Sequence, residues 1–308
     1  MSTPALEVPE FFPTQFGTNW EHLLQQEVSR LRETVKVDMD IRGKEKTFNQ
    51  FGTSAMRKIT SRNAQTLPSD RDDEKRWLYL DPYDEVTFFD EWDADILGDI
   101  ALPDSEAVQS HAMAAGRTCD QLIIDAASST TAKSGESGGT SNALASGNQV
   151  LVAHGGSNEG LTLGKLIAAK SIFGLNESYG QNRSKDDTLH LIISQAQIDD
   201  LLENVTEVKN SDYVQVKALQ SGEVDNFMGF QFTRTELLTT TGAASTDVRT
   251  CLAYVKSGIV LGIGRDRSVK TTIRDDLNET LQIRTKMRMG ATRLYEEKVV
   301  EIFCDESP

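Results

Sequence analysis

The chain has 308 residues, 38% of them hydrophobic and 7% aromatic, enough for one large or two ordinary packed domains. Its 32 basic and 47 acidic side chains leave a formal charge of −15, which excludes tight sequence-independent binding of the whole chain to nucleic acid, because that needs clustered Lys and Arg. No apolar run of about 18 residues is present for a membrane span, and the opening MSTPALEVPEFFPTQFG lacks the basic start and apolar block of a secretory leader, so a cytoplasmic origin without a membrane partner is expected.

Residues 1 to 17 carry three prolines and the aromatic run FFPTQF without helical or strand period, which reads as an extended arm whose Phe11 and Phe12 need a surface to pack on. Asn19 then caps an expected helix with Leu23, Leu24, Val28 and Leu31 at three-to-four spacing. From Val35 the period falls to two (VKVDMDI), and a turn at Arg42-Gly43-Lys44 predicts a return strand through Phe48 and Phe51. Residues 52 to 76 are polar almost throughout and cannot bury a core of their own. Lying between two segments with strand character, they predict a long protruding β-loop that something outside its own fold supports.

Eight of the nineteen residues from Asp81 to Asp99 are acidic and none is basic. Hard cations favour such oxygens, but the fixed spacing of a calcium loop is missing, so an acidic face, solvated or between subunits, is expected and no metal site. Asp104 then caps the strongest helix signal, running to about Ala127, with Val108, Ala112, Ala115, Cys119, Leu122 and Ala126 in one stripe of mostly small residues. Cys119, Cys251 and Cys304 lie far apart with no C-x-x-C pair, the pattern of core thiols rather than of a disulfide framework or zinc knuckle.

The segment KSGESGGTS (133 to 141) contains G-x-S-x-G at Gly135 to Gly139, the spacing of a hydrolase nucleophile elbow. An elbow needs a buried apolar strand before the serine and a helix after it. Here a helix precedes and small polar residues follow, and none of His22, His111, His154 and His190 sits in a catalytic context, so a mobile solvent-facing loop is expected and a serine hydrolase using Ser137 is the disfavoured alternative.

Further along, residues 161 to 173 predict a helix capped by Thr162 and stopped at Gly174, residues 188 to 194 a buried strand containing a core His190, and residues 195 to 205 a helix. Strands follow at 213 to 218 and 230 to 232, with a loop over 239 to 246. Gly262 and Gly264 lack the third glycine of a dinucleotide fingerprint, so no cofactor is expected. From Leu281 to Met289 the alternation is strict, with Leu281, Ile283, Thr285, Met287 and Met289 toward a core and Gln282, Arg284, Lys286 and Arg288 forming a basic stripe, assigned to DNA or, by preference, to a neighbour's acids. A second strand over 292 to 303 completes a C-terminal pair.

In this order, arm, helix, long polar β-loop, long small-residue helix, mixed α/β insert and closing β-pair resemble the major capsid protein of tailed double-stranded DNA bacteriophages with the Hong-Kong-97-type fold. The resemblance rests on TFNQFGTSAMRKITSRNAQT (47 to 66), which looks like the E-loop; DSEAVQSHAMAAGRTCDQLIIDAASS (104 to 129), the spine helix; GEVDNFMGFQFTRT (222 to 235); and KMRMGATRLYEEKVVEIFCDES (286 to 307), the closing strands. It implies an α+β fold with an N-terminal arm and helix (1 to 33), an extended β-hairpin E-loop (34 to 82), a P-domain whose spine helix lies on a β-sheet (83 to 187 and 268 to 308) and an α/β A-domain (188 to 267). It further implies a structural shell protein with no enzymatic activity, assembled in the host cytoplasm into pentamers and hexamers of an icosahedral head. Its partners would be copies of itself, a portal protein, a separate scaffolding or decoration protein where one is used, and packaged double-stranded DNA held without sequence specificity. An encapsulin-like nanocompartment shell is the related alternative. For contacts between subunits the opposite charges pair Arg57, Lys58, Arg62 and Arg71 of the E-loop with Asp90, Glu91, Asp93 and Asp95 of a neighbour. Lys58 lies where some relatives form an isopeptide cross-link, but no Asn or Glu partner is identifiable, and none is expected to form.

Overall fold

The computed structural model describes residues 26–52, 54–62, 65, 73–89, 104–128, 132–179, 187–204, 226–241, 247–277 and 279–306. Their strands form three sheets. In the first, β1 (Lys36–Asp38) runs parallel to β13 (Ile259–Arg274), which pairs antiparallel with β14 (Thr280–Arg293), and β14 with β4 (Asp81–Phe89). Two register shifts between Ile263 and Ser268 bend the long β13–β14 hairpin, so its inner half is core and its outer half is a three-stranded sheet open on one face.

Across one face of this sheet lies α1 (Asp104–Ser128), 25 residues and about 37 Å long. The predicted bounds hold. The buried face overlaps the predicted stripe only in part: Cys119 and Ala126 of the stripe are buried together with His111, Met113, Asp120, Ile123, Ile124 and Ala127, while Val108, Ala112, Ala115 and Leu122 are half-buried. Two surfaces compete for this helix, the sheet and a chain segment crossing at Gly116, where a Cβ would come within 3.0 Å of the Ser29 nitrogen. His111 joins helix to sheet, its two ring nitrogens within 2.8 Å of the Thr87 hydroxyl on β4 and 3.1 Å of the Thr285 hydroxyl on β14.

The largest sheet has the order β7 (Gln149–Val150), β15 (Val299–Asp305), β12 (Val248–Val255), β8 (Leu189–Ile193), β10 (Phe230–Arg234) and β9 (Asn226–Phe227), with β11 (Thr240–Thr241) on β12. β8 is buried at every position, as its apolar run, interrupted only by His190, predicts for a strand covered on both faces. The predicted helices appear as α2 (Leu163–Leu175), with Thr162 at its N-cap, and α3 (Gln195–Asn204). Lys165 of α2 is fully buried, its ammonium donating to the Phe303 carbonyl at 2.9 Å, and burial lowers its pKa. β15 pairs with β12 and not with β14, so the expected C-terminal pair is divided between two sheets. The 3₁₀ turn at Glu296–Lys298 redirects the chain between them.

His190 is the core residue expected, stacked on Tyr254 and bonded through Nε2 to the Thr188 hydroxyl at 2.7 Å. Burial first, and the nearby Lys256 second, push its pKa from 6.5 down to about 4. The fold therefore holds the ring neutral while the unfolded chain protonates it near 6.5, and between those values the unfolded state binds more protons. Stability should accordingly fall as pH falls through that window, by about 2 kcal/mol at pH 5 at 1.36 kcal/mol per pH unit. Denaturant titrations of the chain and of His190→Gln between pH 7.5 and 5 check this; the substitution should flatten the slope.

The third sheet carries two further corrections. β2 (Glu45–Gln50) pairs antiparallel with β3 (Glu74–Tyr79), as the protruding-loop reading predicts, but β1 joins the first sheet and not β2. Gly43, at φ +106°, turns the chain from one sheet to the other. The Gly/Ser segment expected to be mobile instead forms a hairpin, β5 (Ala132–Ser134) and β6 (Thr140–Asn142), laid against β3. Small residues make it a tight turn because an aromatic neighbour covers it. Among the described residues the expected helix does not run through Val28 and Leu31: residues 26 to 35 are bends and one turn, with the Arg30 and Leu31 amides bonded to α1 and only local turn bonds such as that from the Thr34 amide to the Leu31 carbonyl. Asn19, Leu23, Leu24, the 213 to 218 strand and most of the 239 to 246 loop lie outside the described residues.

Candidate assembly surfaces

The β2–β3 stalk is held from three sides. On one, the Trp77 indole donates to the Gly135 carbonyl at 2.8 Å, and Trp77 stacks with Tyr79, ring centroids 6.5 Å apart. Gly138 lies beneath these rings at φ +68°, where a Cβ would fall 2.4 Å from the Tyr79 hydroxyl. Gly135, at φ +86°, therefore serves the turn, and Gly138, between Ser137 and Gly139, the close approach. Ser137 itself is exposed, His111 is engaged by two threonines and His190 by a third, so the hydrolase-like spacing has a structural explanation.

Beneath the stalk, Arg76 and Arg293 are 1% and 0% exposed. The Arg76 guanidinium donates to the Glu296 carboxylate at 2.7 Å, and Arg293 donates at 3.0 Å to both the Ala127 carbonyl at the end of α1 and the Asn142 carbonyl of β6. Arg293 Nε also lies 3.6 Å from Glu296 Oε1. Burial lowers the Arg293 pKa while Glu296 opposes the shift. One carboxylate thus sits between two buried cations and ties the stalk, hairpin, spine-helix end and β14 together. Gln50 adds a hydrogen bond from its amide to the Leu294 carbonyl.

Beyond this rigid base, residues 54 to 62 are without regular structure and exposed wherever described. Phe51, Met56 and Ile59 are 75%, 105% and 79% exposed, beside the exposed Arg57, Lys58 and Arg62. Three large apolar side chains held away from the body on a firm stalk are unusual for an isolated domain. Of the other residues predicted to meet a neighbour, Phe11, Phe12, Arg71, Asp90, Glu91, Asp93 and Asp95 lie outside the described residues.

A second anchor was missed in the sequence. Asp120 of α1 is fully buried, and its carboxylate accepts hydrogen bonds from the Ser29 hydroxyl at 2.5 Å, the Arg30 amide at 2.9 Å, the Leu31 amide at 3.1 Å and the Gln26 side-chain amide. It substitutes for the intrahelical acceptors that the 26 to 31 segment lacks. The chain leaves this point toward residue 25. The only sequence signal was an acid on the small-residue face of α1, one turn from Gly116. For Arg293, the signal was an arginine at core parity, two residues beyond Ala291 on a strand whose odd positions are mostly buried.

Residues 8–306 match the family described as phage capsid protein. The chain belongs to the phage capsid protein family. The subunit's fold is similar to that of the cyanophage Pam1 capsid (TM-score 0.72, 12% identity, 98% of this chain and 99% of that chain). It also resembles the capsid of cyanophage P-SCSP1u (0.68, 16%, 96% and 93%) and that of Ralstonia phage GP4 (0.67, 9%, 100% and 99%). At these identities the likeness speaks for the fold, which is the α+β Hong-Kong-97-type capsid fold. No curated protein matches the sequence. As a phage capsid protein the subunit is a structural component of the virion shell and joins copies of itself in capsomers. The β2–β3 stalk and α1 stand where the resemblance in sequence places the E-loop and the spine helix.

Proposed function

We propose that this subunit is the major capsid protein of a tailed phage, building the pentamers and hexamers of an icosahedral head around double-stranded DNA, without enzymatic activity. The observation that carries this reading is the E-loop: a stalk clamped by buried ionic and aromatic contacts, ending in exposed Met56 and Ile59 that none of the described residues covers. A neighbouring copy supplies the missing surface, and closure multiplies modest contacts, since a subunit must break several at once to leave. The first and third sheets with α1 would then correspond to the P-domain and E-loop, and the seven-stranded sheet to the A-domain, which would extend the A-domain beyond 188 to 267 to include β15. Assembly in the host cytoplasm, a portal at one vertex and a separate scaffolding or decoration protein complete the proposal.

Electron microscopy of the purified chain tests it: closed particles are expected, and a stable monomer under all solution conditions overturns it. The charged residues beside the apolar tip are assigned to the acidic Asp90, Glu91, Asp93 and Asp95 of a neighbour, with Arg71 adding to the basic side. Arg57→Glu with Lys58→Glu should lower particle yield at low salt, and less so at high salt, where screening already weakens such pairs. Each exposed pair contributes under about 1 kcal/mol, so only repetition around the shell makes the loss visible. Sedimentation of assembled against free subunit at two salt concentrations provides the measurement.

A further inference from the structure

Apart from the loop tip with Arg57, Lys58 and Arg62, the open face of the outer first sheet gathers several of the described cations of a chain whose formal charge is −15. Pairing register puts Arg284, Lys286 and Arg288 of β14 on the same side as Arg265 and Lys270 of β13, across from α1. Asp84 on β4 is the acid opposite them, and it is engaged by Arg284. Arg288 spans the Gly264 backbone to donate to the Ile41 carbonyl at 2.9 Å and keeps a buried Nε–H without a partner. Arg265, Lys270 and Lys286 take part in none of the ion pairs among the described residues. A groove of about 480 Å³ runs over this face between Pro82, Asp84, Arg265 and Lys286.

The sequence assigned the basic stripe by preference to a neighbour's acids, and Arg284 has already found its acid within its own chain. We propose that this face is the inner wall of the shell and that its cations contact the phosphates of the packaged duplex; the inference rests on the capsid function proposed above. Cations repeat about every 7 Å along β14, with a second row about 4.8 Å away on β13. So dense a two-dimensional field matches a polyanion carrying closely spaced charge along its length. A protein partner fits less well, because the centres of protein interfaces are depleted in lysine and built on aromatic or apolar anchors. Here Phe88 is the large apolar side chain on that side, at the edge. An envelope of subunits each carrying −15 would otherwise repel its contents, and one cationic face turned inward removes that obstacle locally.

The test is binding of the full-length chain, held as unassembled subunits so that this face is accessible, to a labelled 30-base-pair duplex, followed by fluorescence anisotropy at several salt concentrations, with particle formation scored in parallel by microscopy of a portion allowed to assemble. Contact with three or four phosphates predicts a slope of log affinity against log salt of about −3, independent of duplex sequence. Lys270→Glu and Lys286→Glu should each reduce its magnitude by about one and leave particles intact, whereas Lys170→Glu, on α2 beside the largest sheet, should not change it. No duplex binding by the unaltered chain, or equal slopes for Lys286→Glu and Lys170→Glu, overturns the proposal. So does loss of particles with duplex binding retained, which would give the face to a neighbouring copy. If the unaltered chain forms no particles at all, the shell function fails instead, and the salt slopes still report on this face separately.

Discussion

Replacing Asp120 with alanine is expected to destabilise the subunit by about 4 kcal/mol and to release residues 26 to 31 from α1. The carboxylate is fully buried and satisfies two backbone amides, a serine hydroxyl and a glutamine amide of residues 26 to 31. A buried donor left without an acceptor costs about 1–3 kcal/mol. Leu31, itself 0% exposed, gives its amide little access to water. Solvent reaching the more exposed Arg30 and Gln26 recovers part of the loss, which keeps the total below the sum of four bonds. Asp120→Asn retains one acceptor oxygen and turns an NH₂ toward the remaining donors, so about half the effect is expected. Thermal unfolding gives the magnitude, and trypsin gives the location. Cleavage after Arg30 and Arg32 should accelerate in the variants well below their unfolding temperature, and an unchanged cleavage rate would show that the segment is held by something other than this carboxylate.

The contrast between Asp120 and the E-loop explains what was legible in the sequence. The long helix, the strands at 189 to 193 and 280 to 293 and the two-stranded stalk announced themselves through hydrophobic period, because burial of one face is a repeated local condition. Residues 26 to 35 misled for the same reason. Val28 and Leu31 have helical spacing, yet the backbone groups there are satisfied by an acid 90 residues away, and no local pattern records that. KSGESGGTS misled through composition: glycine and serine favour mobility only in the absence of a partner, and Trp77 with Tyr79 supplies one that lies more than 50 positions earlier.

The candidate surfaces divide along similar lines. Exposed Met56 and Ile59 were readable as a segment that cannot bury itself, whereas Arg76, Arg293 and Glu296 looked like ordinary surface charges. They become a buried cluster only because the stalk is laid over β14. Such a cluster is a poor source of net stability, since desolvation offsets most of the attraction. Its value lies in geometry: two guanidinium forks fix the directions of Glu296, Ala127 and Asn142, and with them the angle at which the E-loop leaves the body.

Gly290→Ala is expected to be the most disruptive single-methyl change in that same junction, costing about 4 kcal/mol or more. A Cβ at this position would lie 1.8 Å from the Tyr79 carbonyl oxygen and 2.9 Å from its carbon, both backbone atoms at the point where β3 passes into β4. At Gly262 the obstacles are the ends of Leu78 and Ile41 side chains, which can change rotamer; at Gly290 nothing near the added carbon can turn away. Relief requires β14 and the stalk to separate by more than an ångström, which breaks the packing of Leu78 and Leu80 against Val260 and strains the hydrogen bonds of the paired strands. Overpacking alone costs about 1–3 kcal/mol, and the lost pairing adds to it. Because the displacement falls at the E-loop base, assembly should suffer beyond what stability accounts for. A Gly262→Ala control at the neighbouring crossing should unfold at a higher temperature than Gly290→Ala and still assemble. If both variants formed particles with equal yield, the close crossing of Tyr79 over β14 would not be what sets the direction of the E-loop.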